Sequence, residues 1–205
     1  MNRTVSAESC LLCLKIWNLA REQLSVKYPF FRKLIWDFSF QKSSDTHTAG
    51  TDGHIIYFAP EFLIRTFQTD PDALESLLLH ILYHCLFLHL VMETPSDRIL
   101  WNQACDISVD RLITGGSDTI SPSVIYQNLM TDASPKEHPT VDDHRFWKLA
   151  DRQKLLEQIK KIWNSGSGAA GLGLYGNSGR GTAPGNLSEK LALHHKHRYD
   201  FRRFL

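Results

Sequence analysis

Leu77-Leu78-Leu79-His80-Ile81-Leu82-Tyr83-His84-Cys85-Leu86-Phe87-Leu88-His89-Leu90-Val91-Met92 has no acid, no lysine and no arginine. It is apolar on every side except for three histidines. A helix apolar all round belongs in the middle of a core. His80 and His84 stand four residues apart, so on a helix they lie about 40° apart in azimuth and one turn above each other. Two imidazoles on one face of an apolar wall are a metal-ligand geometry. The same spacing suits two core histidines, but each buried imidazole then needs a hydrogen-bond partner. A membrane span is disfavoured. The uncharged run from Ser76 to Met92 falls short of about 18 residues and carries histidines.

The chain around this stretch has 205 residues, 42% of them hydrophobic, enough for one large domain or two small ones. A net charge of +1 argues against a nucleic-acid partner. The N-terminus carries no charged, apolar and small-residue signal pattern, so the reading is a soluble cytoplasmic protein with no membrane segment. Cys10, Cys13, Cys85 and Cys105 sit in apolar helical surroundings, as reduced core cysteines do. Cys10-x-x-Cys13 has no second pair, which argues against a four-cysteine zinc site.

Before the central stretch, residues 6–25 predict an amphipathic helix capped by Ser6, with Cys13, Leu14, Trp17, Ala20 and Leu24 on its buried face. Phe30 to Phe40 predicts a short helix that ends as a strand. Asp52-Gly53 marks a tight turn, hence a β-hairpin whose second strand is His54–Phe58. A short helix, Glu61–Phe67, follows. Asp70 as N-cap and Pro71 at the first position start the central helix, which is expected to run to about Met92.

After it, Pro95-Ser96 interrupts and Ser96 can cap a helix over about Asp97–Thr114, stopped by Gly115-Gly116. Asn102, Asp106 and Asp110 share one face of that helix, and Leu100, Ala104, Ile107 and Leu112 supply packing. Asp106 reads either as part of a solvated face or as an oxygen ligand finishing a site begun by His80 and His84. Ser117 to Pro139 is polar, with one helical turn around Ser123–Met130. A charged amphipathic helix is expected over about Arg145–Trp163, where Asp142 and Asp143 serve as favourable N-terminal charges. His144 is a reserve ligand or orienter.

Residues 1–164 thus form one domain. Residues 165–186 hold eight of the twelve glycines and read as a flexible loop. Residues 187–205 are a C-terminal helical segment that ends without a cap, as if the natural protein continued. His194, His195 and His197 with their basic neighbours read as a solvated patch.

Four segments resemble one family. They are Thr48-Ala49-Gly50-Thr51-Asp52-Gly53 with Tyr57-Phe58-Ala59-Pro60-Glu61-Phe62; His80-x-x-x-His84-x-x-x-x-His89; Trp101-Asn102-x-Ala104-x-Asp106-x-x-Val109-Asp110; and Asp142-Asp143-His144-x-x-Trp147. In this order they resemble the putative metallopeptidase domain, zincin-like, found N-terminal to von Willebrand factor A-like domains in bacterial proteins. The resemblance implies an α+β fold, a mainly helical zincin-like core with a small antiparallel β-sheet or hairpin. It also implies zinc as cofactor, and a protein partner such as the MoxR-type AAA ATPases encoded beside relatives. The family pattern is His-Glu-x-x-His, in which Glu is the general base; here Ile81 replaces it. Such acid–base help is worth on the order of 10² to 10⁴ in rate. The expected ligands are His80, His84 and Asp106, with His89 and His144 in reserve. His89 can reach the same metal only if the helix ends or bends after Leu86. Asp110, where the family has Asn, is a conceivable substitute base. The leading expectation is a zinc-binding, non-catalytic binding or scaffold module. The alternatives are an active zinc hydrolase with a relocated base and a metal-free helical interaction domain.

Overall fold

A computed structural model describes residues 7–92, 98–113 and 141–164. The expected caps Ser6 and Ser96, the stop at Gly115-Gly116, the turn at Ser123–Met130, the glycine-rich loop and the C-terminal segment lie outside the described residues.

Helix α1 (Ala7–Lys27) buries Cys13, Ile16, Trp17, Ala20 and Leu24, a stripe at helical spacing. Ile16 takes the inward position expected for Leu14, which is 41% exposed. A 3₁₀ turn at Pro29–Phe31 leads into α2 (Arg32–Asp37) and then into strand β1 (Ser39–Lys42). Strands β2 (Ala49–Thr51) and β3 (Ile55–Phe58) form the expected antiparallel hairpin. Its turn is held by Asp52, whose Oδ1 accepts the amides of His54 and Ile55, each at 2.8 Å, and whose Oδ2 accepts the Tyr57 hydroxyl at 2.9 Å. Gly53 takes φ +97°, open to glycine without strain. Strand β1 then pairs parallel to β3, so the sheet is mixed, in the order β1-β3-β2. β1 lies on the edge of β3 opposite β2, with Ser39 to Lys42 in register with Ile55 to Phe58.

The sheet docks on α1 through aromatics. Trp17 stacks on Phe40 at 4.9 Å and meets Phe58 edge-on at 6.0 Å. The Arg21 guanidinium covers Phe40 and Trp36 and donates to the Phe38 carbonyl at 3.2 Å.

Helix α3 (Pro60–Thr69) and helix α4 (Pro71–Leu86) pack on α1. Pro71 opens α4 and the Asp70 carboxylate accepts the Asp72 amide at 3.1 Å. Asp70→Ala is expected to cost about 1 kcal/mol, read as a lower denaturation midpoint with an unchanged slope.

Of α4, every residue from Leu77 to Leu86 is buried. The helix stops at Leu86, short of the expected Met92. Leu88 adopts φ 61°, the left-handed conformation that ends helices, and a 3₁₀ turn follows at His89–Val91. Glycine or asparagine usually signals such an end, and neither stands here. A leucine in this conformation costs roughly 1–2 kcal/mol, and it stands between the buried Phe87 and His89.

Helix α5 (Arg98–Ile113) turns a different face inward from the one its apolar residues predict. Leu100, Ala104 and Ile107 are exposed, while Cys105, Asp106, Val109 and Leu112 are buried. The polar groups of α4 explain this, because buried imidazoles need polar partners more than a weakly apolar stripe needs cover. The helix expected over Arg145–Trp163 is two elements, a 3₁₀ helix (His144–Leu149) and helix α6 (Arg152–Asn164). Asp151 breaks them apart by accepting the amides of Gln153 and Lys154 at 2.9 and 3.1 Å.

Candidate metal centre

The centre lies where α4, α5 and the segment 141–144 meet. On α4, the four-residue spacing points both His80 Nε2 and His84 Nε2 into one spot, 2.8 Å apart. From α5, Asp106 Oδ1 reaches them at 3.5 and 3.2 Å. Asp106 is aimed by its other oxygen, which accepts the Val141 amide at 3.2 Å. That bond also brings in Asp142, whose Oδ1 lies 3.4 Å from His80 Nε2 and 3.7 Å from His84 Nε2.

The segment and the turn after it are held from the other side by β2 and β3. The Asp143 amide donates to the Ala49 carbonyl at 2.7 Å, and Phe146 stacks on Tyr57 at 4.4 Å. Gly50 packs against the Asp143 carbonyl, so closely that a Cβ there would overlap it.

His80, His84, Asp106 and Asp142 thus offer four ligand atoms within 4.8 Å of one another. None exposes more than 4% of its surface. Donors about 2.0–2.1 Å from a tetrahedral zinc stand about 3.3 Å from one another, and the five separations above run from 2.8 to 3.7 Å. Asp106 Oδ1 has imidazole nitrogens at 3.0, 3.2 and 3.5 Å yet receives no aligned N–H. Converging lone pairs of this kind, two of them on anions, suit a cation. The donor set fits a divalent metal, and it contains no thiolate: Cys85 and Cys105 are free, with thiol pKa values pushed up first by burial and then by nearby aspartates.

The remaining candidates surround this core. His144 Nε2 lies 2.9 Å from Asp142 Oδ1 and 3.0 Å from Asp106 Oδ1, with its ring stacked on Trp147 at 3.7 Å. Asp110 Oδ1 lies 3.2 Å from His80 Nδ1, on the side of the ring away from the centre. His89 Nδ1 lies 2.9 Å from His84 Nδ1, likewise on the far side. Ile81 is fully buried in the hydrophobic core. Asp142 is the residue that sequence reasoning assigned elsewhere, as a helix-start charge. The capping role belongs to Asp143, whose carboxylate accepts the Arg145 amide at 3.1 Å. The signal for Asp142 was its place two residues before His144, with apolar Val141 ahead of it.

Protonation in this cluster is uneven. Burial pulls His80 down, but Asp106, Asp110 and Asp142 outweigh it and hold the ring well above the usual histidine range. His84 is pushed down to about 4 by burial and by the charge of His80. Burial opposes the charge on His144 too, yet Asp142 and Asp106 raise it to about 9. Against burial, the histidines hold Asp106 and Asp142 well below the usual carboxylate range.

The sequence pattern of a family described as a putative metallopeptidase domain matches residues 16–169. The chain belongs to that family. The match spans α4, α5 and the segment 141–144, the three parts that build the centre, so the cluster and the family signal coincide. No curated protein and no solved structure matches the chain. Among the described residues no helix is long and apolar enough to cross a membrane.

Proposed function

We propose that this domain binds one zinc ion through His80, His84, Asp106 and Asp142 and uses it to hold a fold that serves as a binding or scaffold module, without hydrolysing peptides. The observation that carries the reading is the number and burial of the donors. Structural zinc sites are closed by four protein ligands, whereas catalytic ones keep a position open. Four donors converge here, all of them buried. The position that carries the general base in the family's pattern is the apolar, fully buried Ile81. When bound, the ion supplies two positive charges that the two aspartates neutralise, and it relieves the crowding of lone pairs. The donors come from three parts of the chain that local structure alone does not join, so the ion ties α4, α5 and the segment 141–144 together. His144, in contact with both carboxylates, keeps them facing the centre.

The test is elemental mass spectrometry of protein purified without a histidine tag, beside an assay on a mixed peptide substrate. About one zinc per chain with no cleavage supports the proposal. Metal-dependent cleavage lost in both Asp110→Asn and His84→Ala would replace it with a working hydrolase. Protein that takes up no metal even on refolding with zinc would leave a metal-free helical domain.

A further inference from the structure

We infer that Asp110 and His89 are positioning residues, which fix the tautomers of His80 and His84 so that both Nε2 lone pairs face the centre; this rests on the metal reading above. A neutral imidazole carries one N–H, and the nitrogen that holds it is set by what faces it. His80 Nδ1 faces Asp110 Oδ1 at 3.2 Å. A carboxylate only accepts, so Nδ1 keeps its proton, and the proton that His80 gives up to a metal is the one on Nε2, which then becomes an electron-pair donor. His84 Nδ1 faces His89 Nδ1 at 2.9 Å, a separation at which one of the two nitrogens carries the proton. If His84 donates there, its Nε2 also presents a lone pair. The centre then holds two nitrogen lone pairs 2.8 Å apart, an arrangement a cation stabilises. If His89 donates instead, His84 Nε2 carries the proton and hydrogen-bonds to His80 Nε2, and the ligand pair is closed to metal. The His89 proton therefore selects between a metal-ready and a metal-closed arrangement.

The backbone supports the assignment. On a continued helix His89 would lie about 140° around from His84 and could not meet its ring. The left-handed Leu88 folds the chain back and sets His89 against His84. His89 is buried and meets Phe87 and Trp101, which fix its plane. Partners of this kind on the outer nitrogen of a metal-binding histidine raise affinity without touching the metal.

The experiment measures zinc affinity, by competition with a chromophoric chelator, for the unmodified chain and for Asp110→Ala, Asp110→Asn, His89→Leu and His89→Gln. Asp110→Ala and His89→Leu are expected to bind roughly 10- to 100-fold more weakly. Asp110→Asn and His89→Gln keep an oxygen acceptor and should recover most of that loss. Cobalt(II) spectra of all five proteins should keep one shape, because the ligands are unchanged, and imidazole ¹⁵N shifts of the zinc-loaded protein should place hydrogen on both Nδ1 atoms. Equal affinities across the set, in a parent chain that binds zinc, overturn this inference alone. A changed cobalt spectrum in the Asp110 or His89 variants overturns it by making that residue a ligand. A parent chain that binds no zinc overturns the metal reading itself and this inference with it. Circular dichroism identifies any variant that fails to fold, and the acceptor-keeping pair then carries the comparison.

Discussion

Exchanging His80 and His84 together for alanine is expected to abolish the response of the protein to zinc and to chelators. In the parent chain a ligand that binds only the folded state adds about 4 kcal/mol when present at a thousand times its dissociation constant. For a chain of this size, each kcal/mol shifts the melting temperature by roughly 2–4 °C, so chelation should lower it by about 8–16 °C. The double variant should melt at one temperature with zinc, without zinc and with chelator. The difference is the readout, because removing two buried rings also lowers the absolute value. A variant that still answers zinc by several degrees would place the metal elsewhere.

The same zinc response should weaken on acidification. Metal and proton compete for the imidazole lone pairs. The three carboxylates around His80 hold its proton to well above the usual histidine range, so zinc must displace it at neutral pH. His84, down at about 4, is already neutral there and releases none. Affinity should therefore rise with pH through neutrality, by about tenfold per unit for each proton displaced. Chelator competition at pH 6, 7 and 8 checks it, and a flat profile would show that no ligand proton is in play.

Gly50→Ala is expected to be the most damaging single methyl outside the metal ligands. The added carbon would overlap the Asp143 carbonyl and stand 2.9 Å from Phe146. A carbonyl oxygen is backbone and cannot swing aside, so β2 and the segment 141–146 must part. Overpacking of this kind costs about 1–3 kcal/mol. The strand also carries the Ala49 carbonyl that anchors Asp143, the neighbour of Asp142. Zinc affinity should thus fall along with the melting temperature. A stability loss with zinc affinity untouched would show that Asp142 is held in place without β2.

Much of this site was legible because helices have a fixed period. The run Leu77–Leu86 reads as a buried helix, and it is one. Spacings of four put His80 with His84 and Asp106 with Asp110, and the structure turns both pairs toward a common region. The tight turn at Asp52-Gly53 was equally plain, since its residues make their own local hydrogen bonds.

What local patterns could not reveal depended on distant neighbours. The inward face of α5 was chosen by the polar groups of α4 against its own apolar stripe, Leu100, Ala104 and Ile107. The parallel β1 pairs with a strand more than a dozen residues further along the chain, which no local pattern announces. The end of α4 at Leu86 had no glycine to announce it, and a leucine takes the left-handed position at Leu88. Asp142 reads as a helix-start charge until β2 and Asp106 hold its segment over the histidines. By itself, then, the sequence determined the buried central helix, the hairpin turn and the histidine pair with Ile81 between them, because these follow from spacing and residue identity. The tertiary structure alone decided the fourth donor and the partners behind each imidazole, because those arise where separate stretches of chain meet.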